Sequence, residues 1–430
     1  MMSGRSVIRM QAGIGRRAVL KGAALGIGAL AMPGLLRAAE AAAGDLKSLT
    51  AGTAPIGREE RAARLARAQA LMRASDIGAI LIEPGSSLLY FTGVVWWRSE
   101  RLTAAIIPAE GAPVIITPFF ERPSVAESLG VDADIRVWQE HEDPLALAAA
   151  VLAERGLARA RIGVEETVRF FAFDGLRDRL PGAALVSANP VVRGCRMIKT
   201  PAEIALMQCA SDVTLAAYRW TIPQVRPGMS HTDVAALMNG ATEALGGTPE
   251  FSMVLVGASA ALPHGTRAPQ VVKAGDIVLM DCGCTVQGYQ SDISRTFVAG
   301  AQASAAQRKV WDEVAKGQQI AFAAAKPGAT CGSVDDAVRA YYQSLGYGPG
   351  YALPGLSHRT GHGIGMDGHE PVNLVHGETT QLAAGMCFSN EPGIYIPGSF
   401  GVRLEDCFHM TQSGPKWFSI PPTSIDAPLG

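Results

Sequence analysis

Apolar positions in the first half of the chain follow two periods in turn. Over 58–75 they recur at helical spacing, with Leu65, Ala68, Leu71 and Met72 on one face. Short apolar runs bounded by turn formers follow at 79–82, 102–107, 114–117, 135–138, 161–164 and 185–187, and these predict strands. Helical patterns at 123–129, 144–155 and 172–180 lie between them. Strands alternating with helices predict a small α/β domain over 58–194.

The second half, 195–430, has a different order. Long helical patterns at 201–218 and 231–245 lead into strands at 251–256 and 276–282. Helices at 305–325 and 334–344 then precede strands at 386–391 and 402–410. Helix pairs alternating with hairpins predict an α+β domain with a curved antiparallel sheet and flanking helices. Its two halves look like a loose internal duplication.

Residues 1–44 fit neither pattern. Arg16-Arg17 and Leu20-Lys21 precede an apolar run over 22–36, and Ala41-x-Ala43 follows. A charged start, an apolar middle of about 15 residues and a small-residue exit are the layout of an export signal. The run falls short of the roughly 20 residues of a membrane span. The paired arginines resemble the twin-arginine signal of bacteria, which makes the twin-arginine export machinery an expected partner. The expectation is an exported protein, periplasmic or secreted, with a mature chain from about Gly44, a linker over 45–57 and no stable membrane insertion after signal removal.

Composition narrows the function. The 430 residues carry 38 basic and 39 acidic side chains, a net charge of −1, which lacks the electrostatic footprint of a nucleic-acid binder. Seven cysteines form no disulfide framework, and Cys282-x-Cys284 is their only close pair, so buried free thiols are expected. Glycine is abundant at 48 residues, and Gly283, Gly361, Gly363, Gly365 and Gly393 lie close to the acids and histidines discussed next. Backbone clearance around bound metal is the reading this suggests.

The candidate chemistry lies in four acids. Asp281 ends an apolar strand, Asp292 begins the next, and a turn centred on Val286-Gln287 would set them opposite each other. Glu391 and Glu405 are centred on Gly398 within Pro397-Gly398-Ser399, a turn signal. Like charges facing each other in apolar strands are unfavourable unless cations neutralise them. Arg295 and Arg403 are candidate partners, and two divalent cations would neutralise all four. Five of the eight histidines lie between His264 and His376, and His362 sits among glycines that let backbone approach a metal.

The order Asp281, Asp292, His362, Glu391, Glu405 is set in Met-Asp-Cys-Gly, Ser-Asp-Ile-Ser-Arg-Thr-Phe, Gly-His-Gly-Ile-Gly, Asn-Glu-Pro-Gly-Ile-Tyr and Val-Arg-Leu-Glu-Asp. It resembles the pita-bread metallopeptidases, most closely the Xaa-Pro aminopeptidase and Xaa-Pro dipeptidase (prolidase) group. The resemblance covers about 58–430, including a creatinase-like N-terminal domain with Leu89-Tyr90-Phe91-Thr92-Gly93 and the junction Met197-Ile198-Lys199-Thr200-Pro201-Ala202-Glu203.

The resemblance implies that Asp281 chelates one metal, Asp292 and Glu405 bridge two, and His362 and Glu391 complete the second site. The metals would be divalent, manganese first, with cobalt or zinc as alternatives. A water or hydroxide between them would attack the peptide bond, with Glu391 as general base or acid. His264 and His369 would bind the peptide and stabilise the oxyanion, and His358 would line the pocket. Arg403, two residues before Glu405, is expected by spacing to share its strand face and orient it, and is counted with His264, His358 and His369 among the substrate-binding candidates. Small peptides would be the substrates, and the protein would be a homodimer or homotetramer.

Competing readings on this fold are an amidinohydrolase of the creatinase type, a lyase and a non-catalytic peptide-binding module. The creatinase type lacks the complete metal set, and the lyases carry an aspartate where this chain has Gly283. Methionine aminopeptidases lack such an N-terminal domain. Dipeptidase and aminopeptidase action stay open; Arg98, beside Trp96-Trp97, is a candidate for reading a substrate carboxylate.

Overall fold

The computed structural model describes residues 46–429, so the expected export signal lies outside the described residues. No described helix is long and apolar enough to cross a membrane.

The N-terminal domain is built on one six-stranded sheet in the order Asp134–Trp138, Val114–Pro118, Ala104–Pro108, Ala79–Ile82, Arg161–Val164, Ala184–Ser187. Ala104–Pro108 is antiparallel to both neighbours and the remaining pairs are parallel. Ala79–Ile82 is buried at every position because both sheet faces are covered. Ile80, Ile82, Ala105 and Ile107 face the helix Arg58–Ala74 through Ala68 and Met72. Ala79, Leu81, Ala104 and Ile106 face the helices Pro144–Glu154 and Phe170–Arg179. The first of these cores continues into the second domain through Leu206, Met207, Tyr289, Ile364 and Met366. The two domains are therefore joined by apolar packing as well as by the chain.

The second domain uses one plan twice. The helices Pro201–Thr221 and His231–Ala244 precede the antiparallel strands Thr248–Val256, Ile277–Val286 and Ile293–Val298. The helices Ala305–Ala324 and Cys331–Ser344 precede a five-stranded sheet in the order Glu370–Leu374, Gly361–Gly363, Cys387–Asn390, Asp406–Thr411, Gly414–Trp417. Each second helix begins at a hydroxyl N-cap, Ser230 or Thr330, whose backbone also forms an isolated bridge, to Val271 or Gln381. The duplication expected from the pattern is present. Ser294 and Glu405 exchange both backbone hydrogen bonds, at 3.3 and 3.2 Å, and so stitch the two sheets together.

The arrangement matches the α+β expectation. Residues 46–53 lie against the second domain, where the Leu49 amide bonds the Leu245 carbonyl at 2.9 Å. All seven cysteines are free, and six of them are buried.

Candidate metal centre

The first acid pair is delivered by a hairpin whose turn is Gln287-Gly288, with φ of 51° and 84°. Two consecutive positive φ values are what the tight two-residue hairpin turn requires, and glycine and glutamine meet that need where Val286 would be strained. The turn therefore sits one residue later than the sequence suggested, and the register moves by two: Asp281 pairs with Ser294, not with Asp292. An even shift keeps every side chain on its expected face. Asp292, just before the paired strand, meets Asp281 on the diagonal.

The second pair follows its expected register. Gly398 has φ of 74° in the turn between the strands Gly393–Ile396 and Phe400–Arg403. The ladders Gly393↔Arg403 and Asn390↔Asp406 lie on either side of Glu391 and Glu405, and both keep the register that sets these two opposite each other. The stitch from Ser294 to Glu405 then places Asp281, Ser294 and Glu405 in one row across three adjacent strands.

The candidate ligand atoms converge. Three overlapping sets each lie within 4.8 Å: Asp281, Asp292 and Glu405; His362, Glu391 and Glu405; Asp292, His362 and His369. Asp281 Oδ1, Asp292 Oδ1 and Glu405 Oε1 are buried and accept no hydrogen bond. Burial, then Glu405 and Asp281, pushes the Asp292 carboxyl well above the usual range. Burial, then Glu391 and Asp281, does the same to Glu405. Burial raises Glu391 to about 8, with Asp281 adding to the rise and Arg403 and Arg359 opposing it.

His362 supplies the nitrogen. Its Nδ1 lies 3.1 Å from the Gly363 carbonyl, which can only accept, so Nδ1 carries the proton. Burial, then His369, keeps the ring neutral. Its Nε2 lone pair therefore faces Glu391 Oε1 at 3.3 Å and Asp292 Oδ2 at 3.6 Å. Acceptors this close require a proton or a cation among them. Orphaned carboxylate oxygens and an imidazole with its second nitrogen already committed fit a divalent cation bound by oxygen and nitrogen.

Among the described residues, Arg403 is the cation that pairs directly with the candidate ligands. It pairs with Asp281, donates from Nε to the Ser294 hydroxyl at 3.0 Å, and lies 3.9 Å from Glu405 Oε2. The Ser294 hydroxyl in turn donates to Glu405 Oε2 at 2.7 Å. Arg295, the other candidate, points away from the cluster. Its guanidinium pairs with Asp406 at 2.7 Å, with both side chains fully buried, because alternation along the strand turns it to the opposite face from Ser294.

Substrate-side groups ring a cleft of about 540 Å³ lined by the five candidate ligands together with His264, His358, Arg359, His369 and Arg403. His264 and His369 are exposed at its rim, and the His369 ring lies against that of His362, with centroids 4.0 Å apart and planes tilted by 48°. His358 donates from Nδ1 to the Arg359 carbonyl at 2.8 Å, so its Nε2 accepts from the Tyr395 hydroxyl at 2.7 Å. Burial, then Arg403, holds its pKa down to about 3. Tyr395 also accepts from Arg403 Nη1 at 3.2 Å. Sequence reasoning passed over Tyr395, although it lies four residues after Glu391 and shares its face in a period-two strand. Arg98 does not line the cleft; it donates to the Pro84 carbonyl at 3.0 Å and to Thr167 Oγ1 at 2.6 Å.

Comparison with known proteins agrees with this architecture. Residues 205–412 match the model of metallopeptidase family M24, and residues 64–198 match the creatinase/prolidase N-terminal domain. A protein named probable dipeptidase PepE from Mycobacterium tuberculosis is 34% identical over 368 residues, covering 84% of this chain and 95% of the relative. A protein named Xaa-Pro dipeptidase from Lactobacillus helveticus is 32% identical over 338 residues, covering 77% and 90%. The crystal structure of dipeptidase PepE from Mycobacterium ulcerans superposes with a TM-score of 0.79 at 33% identity, over 86% of this chain and 98% of that one.

Proposed function

The chain belongs to metallopeptidase family M24, and from that premise we propose that it hydrolyses the Xaa-Pro bond of dipeptides or of peptide N-termini with two divalent cations. The observation that carries the reading is the convergence of Asp281, Asp292, His362, Glu391 and Glu405, with three carboxylate oxygens left without partners. Two of the ligand sets share Glu405, which supports two adjacent cation positions. Cations there would supply Lewis acidity that polarises a peptide carbonyl and activates a shared water; manganese, cobalt and zinc all suit the donors.

The chain's own groups do the rest. Glu391, ionised once cations bind, has a carboxylate that faces the cleft and could take and return a proton there. His264 and His369, at the rim, hold the peptide and donate to the developing oxyanion. His358, held as the Nδ1–H tautomer with its Nε2 on the buried Tyr395 hydroxyl, lines the pocket and presents no charge to substrate. Arg403 orients the carboxylates of Asp281 and Glu405. The N-terminal pattern adds the proposal of twin-arginine export, tested by where a residue 1–44 reporter fusion is found.

The test is chelation followed by titration. Metal-free protein given manganese, cobalt or zinc is expected to regain hydrolysis of Gly-Pro and not of Gly-Leu. Turnover of Gly-Pro-Pro beside Gly-Pro separates aminopeptidase from dipeptidase action. No Gly-Pro turnover with any of the three metals overturns the reading.

A further inference from the structure

His369 stands at the rim of the cleft on a segment, 364–369, that belongs to no strand or helix. Its first residues are tied by the Ile364 amide to the Cys387 carbonyl at 3.2 Å and by the Gly365 carbonyl, which accepts from the Gln290 amide at 2.8 Å, whereas 367–369, which carry His369, have no such ties to a strand among the described residues. The residue after it, Glu370, is buried, and its carboxylate turns back along the segment. It accepts from the Met366 and Asp367 amides at 2.9 and 3.2 Å.

Two cations from the junction between the domains hold that carboxylate. Lys199 Nζ lies 2.9 Å from Oε2, and Arg196 Nη2 lies 2.5 Å from Oε1. Lys199 is itself fixed by its amide bonding the Gly385 carbonyl at 2.8 Å. Arg196 extends the contact outward to Asp367 Oδ2 at 2.8 Å and to Ser87 Oγ at 3.0 Å, and Ser86 bonds Asp367 as well. Ser86 and Ser87 begin the helix Ser86–Thr92 of the N-terminal domain. The packing leaves no slack: a Cβ on Gly365 would lie 2.8 Å from both Glu370 carboxylate oxygens and from Lys199 Cε.

We propose that Glu370 is a positioning residue: clamped by Arg196 and Lys199, it fixes His369 over the ligand cluster, and the N-terminal domain completes the clamp through Ser86 and Ser87. The proposal rests on the hydrolytic reading for its kinetic test and on the metal-free protein for its second one. A double-mutant cycle reads the coupling. Glu370→Gln is expected to lower kcat/KM for Gly-Pro by about 10-fold or more in the manganese-loaded enzyme, and to cost less than about 2-fold more in a His369→Ala background. Arg196→Lys, which keeps the charge and loses the second arm, is the alternative if Glu370→Gln fails to fold, and it should be non-additive in the same way. Multiplying losses in the double variant would mean that the clamp acts on something other than His369 and would overturn the proposal.

Selective 15N-histidine labelling gives the readout that needs no activity. In the metal-free protein Glu370→Gln should shift or broaden the ring signals of His369 while those of His231 and His409 stay in place. Unchanged His369 signals would overturn the clamp even if Gly-Pro is not a substrate. A wild-type protein that fails to turn over Gly-Pro, with the His369 signals still moving, would instead overturn the substrate reading alone.

Discussion

His362 Nε2 lies 3.3 Å from Glu391 Oε1, and the ring's only proton is on the other nitrogen, given to the Gly363 carbonyl. A lone pair facing a carboxylate at that distance is tolerable if the carboxyl holds a proton or a cation stands between them. The metal-free chain takes the first course, with Glu391 raised to about 8 by burial.

Stability should therefore depend on pH in opposite ways with and without metal. Carboxyls whose folded pKa exceeds the unfolded value, about 4, bind more protons in the native state, so they add stability at low pH that is lost as pH rises. For Glu391 the loss runs from about pH 4 to about 8, and Asp292 and Glu405 act in the same direction. Metal binding needs the ionised forms and releases protons, so its stabilisation grows over the same range. Thermal unfolding of chelated protein is expected to move to lower temperature between pH 5 and 8, with the gain on adding manganese larger at pH 8. A gain independent of pH would contradict this.

Asp292→Asn should separate function from folding. It removes one ligand oxygen and one member of a repelling cluster, so the metal-free variant should be at least as stable as the parent. Metal content by mass spectrometry should fall, and hydrolysis should drop on the order of 10³-fold. A loss of several degrees in the unfolding temperature of the metal-free variant would show that Asp292 is held by something other than repulsion.

Tyr395→Phe deletes the hydroxyl that donates to His358 and accepts from Arg403. Leaving a buried nitrogen and a guanidinium N–H unpaired should cost about 1–3 kcal/mol in denaturant unfolding. The His358 ring loses the donor that anchors its Nε2, and kcat/KM should fall about 10-fold. An unchanged unfolding midpoint would mean that water replaces the hydroxyl at no cost.

Arg295→Met tests a pair outside the cleft. It strands Asp406, which is fully buried, and should cost about 3–5 kcal/mol, although Gln318 and Ser419 still bond that carboxylate. Arg295→Met with Asp406→Leu should recover part of the loss. Urea denaturation of both variants measures the difference, and equal losses would show that the ion pair is not the source.

What the sequence could express depended on burial and on range. Strands such as Ala79–Ile82 and Arg161–Val164 were readable to the residue because they are short runs whose apolar positions are all buried, Arg161 alone being exposed at the start of the second. The helices Ser86–Thr92 and Asn189–Arg196 were not, since a segment of two turns cannot establish a period. The acids were readable as neighbours because each pair is joined by a local turn, whereas strand alternation tells only which face Arg295 takes, and its partner Asp406 comes from the other copy, beyond the reach of local spacing. The glycine reading needs correction. A Cβ on Gly283 would lie 2.2 Å from the Ser291 carbonyl oxygen, one on Gly361 2.2 Å from that of Ser389, and one on Gly363 2.5 Å from that of Glu370. These glycines let strands and the Glu370 turn close upon one another behind the cluster, and clearance for metal does not explain them.

The doubled plan of the second domain assigns Asp281 and Asp292 to one copy and His362, Glu391 and Glu405 to the other. The second copy gathers His362, Glu391 and Glu405 by itself, but Asp281 and Asp292 reach them only across the Ser294–Glu405 stitch between the copies. A docking of the two copies out of register would therefore part the Asp281–Asp292 pair from the other three candidate ligands and leave the five-residue cluster unmade.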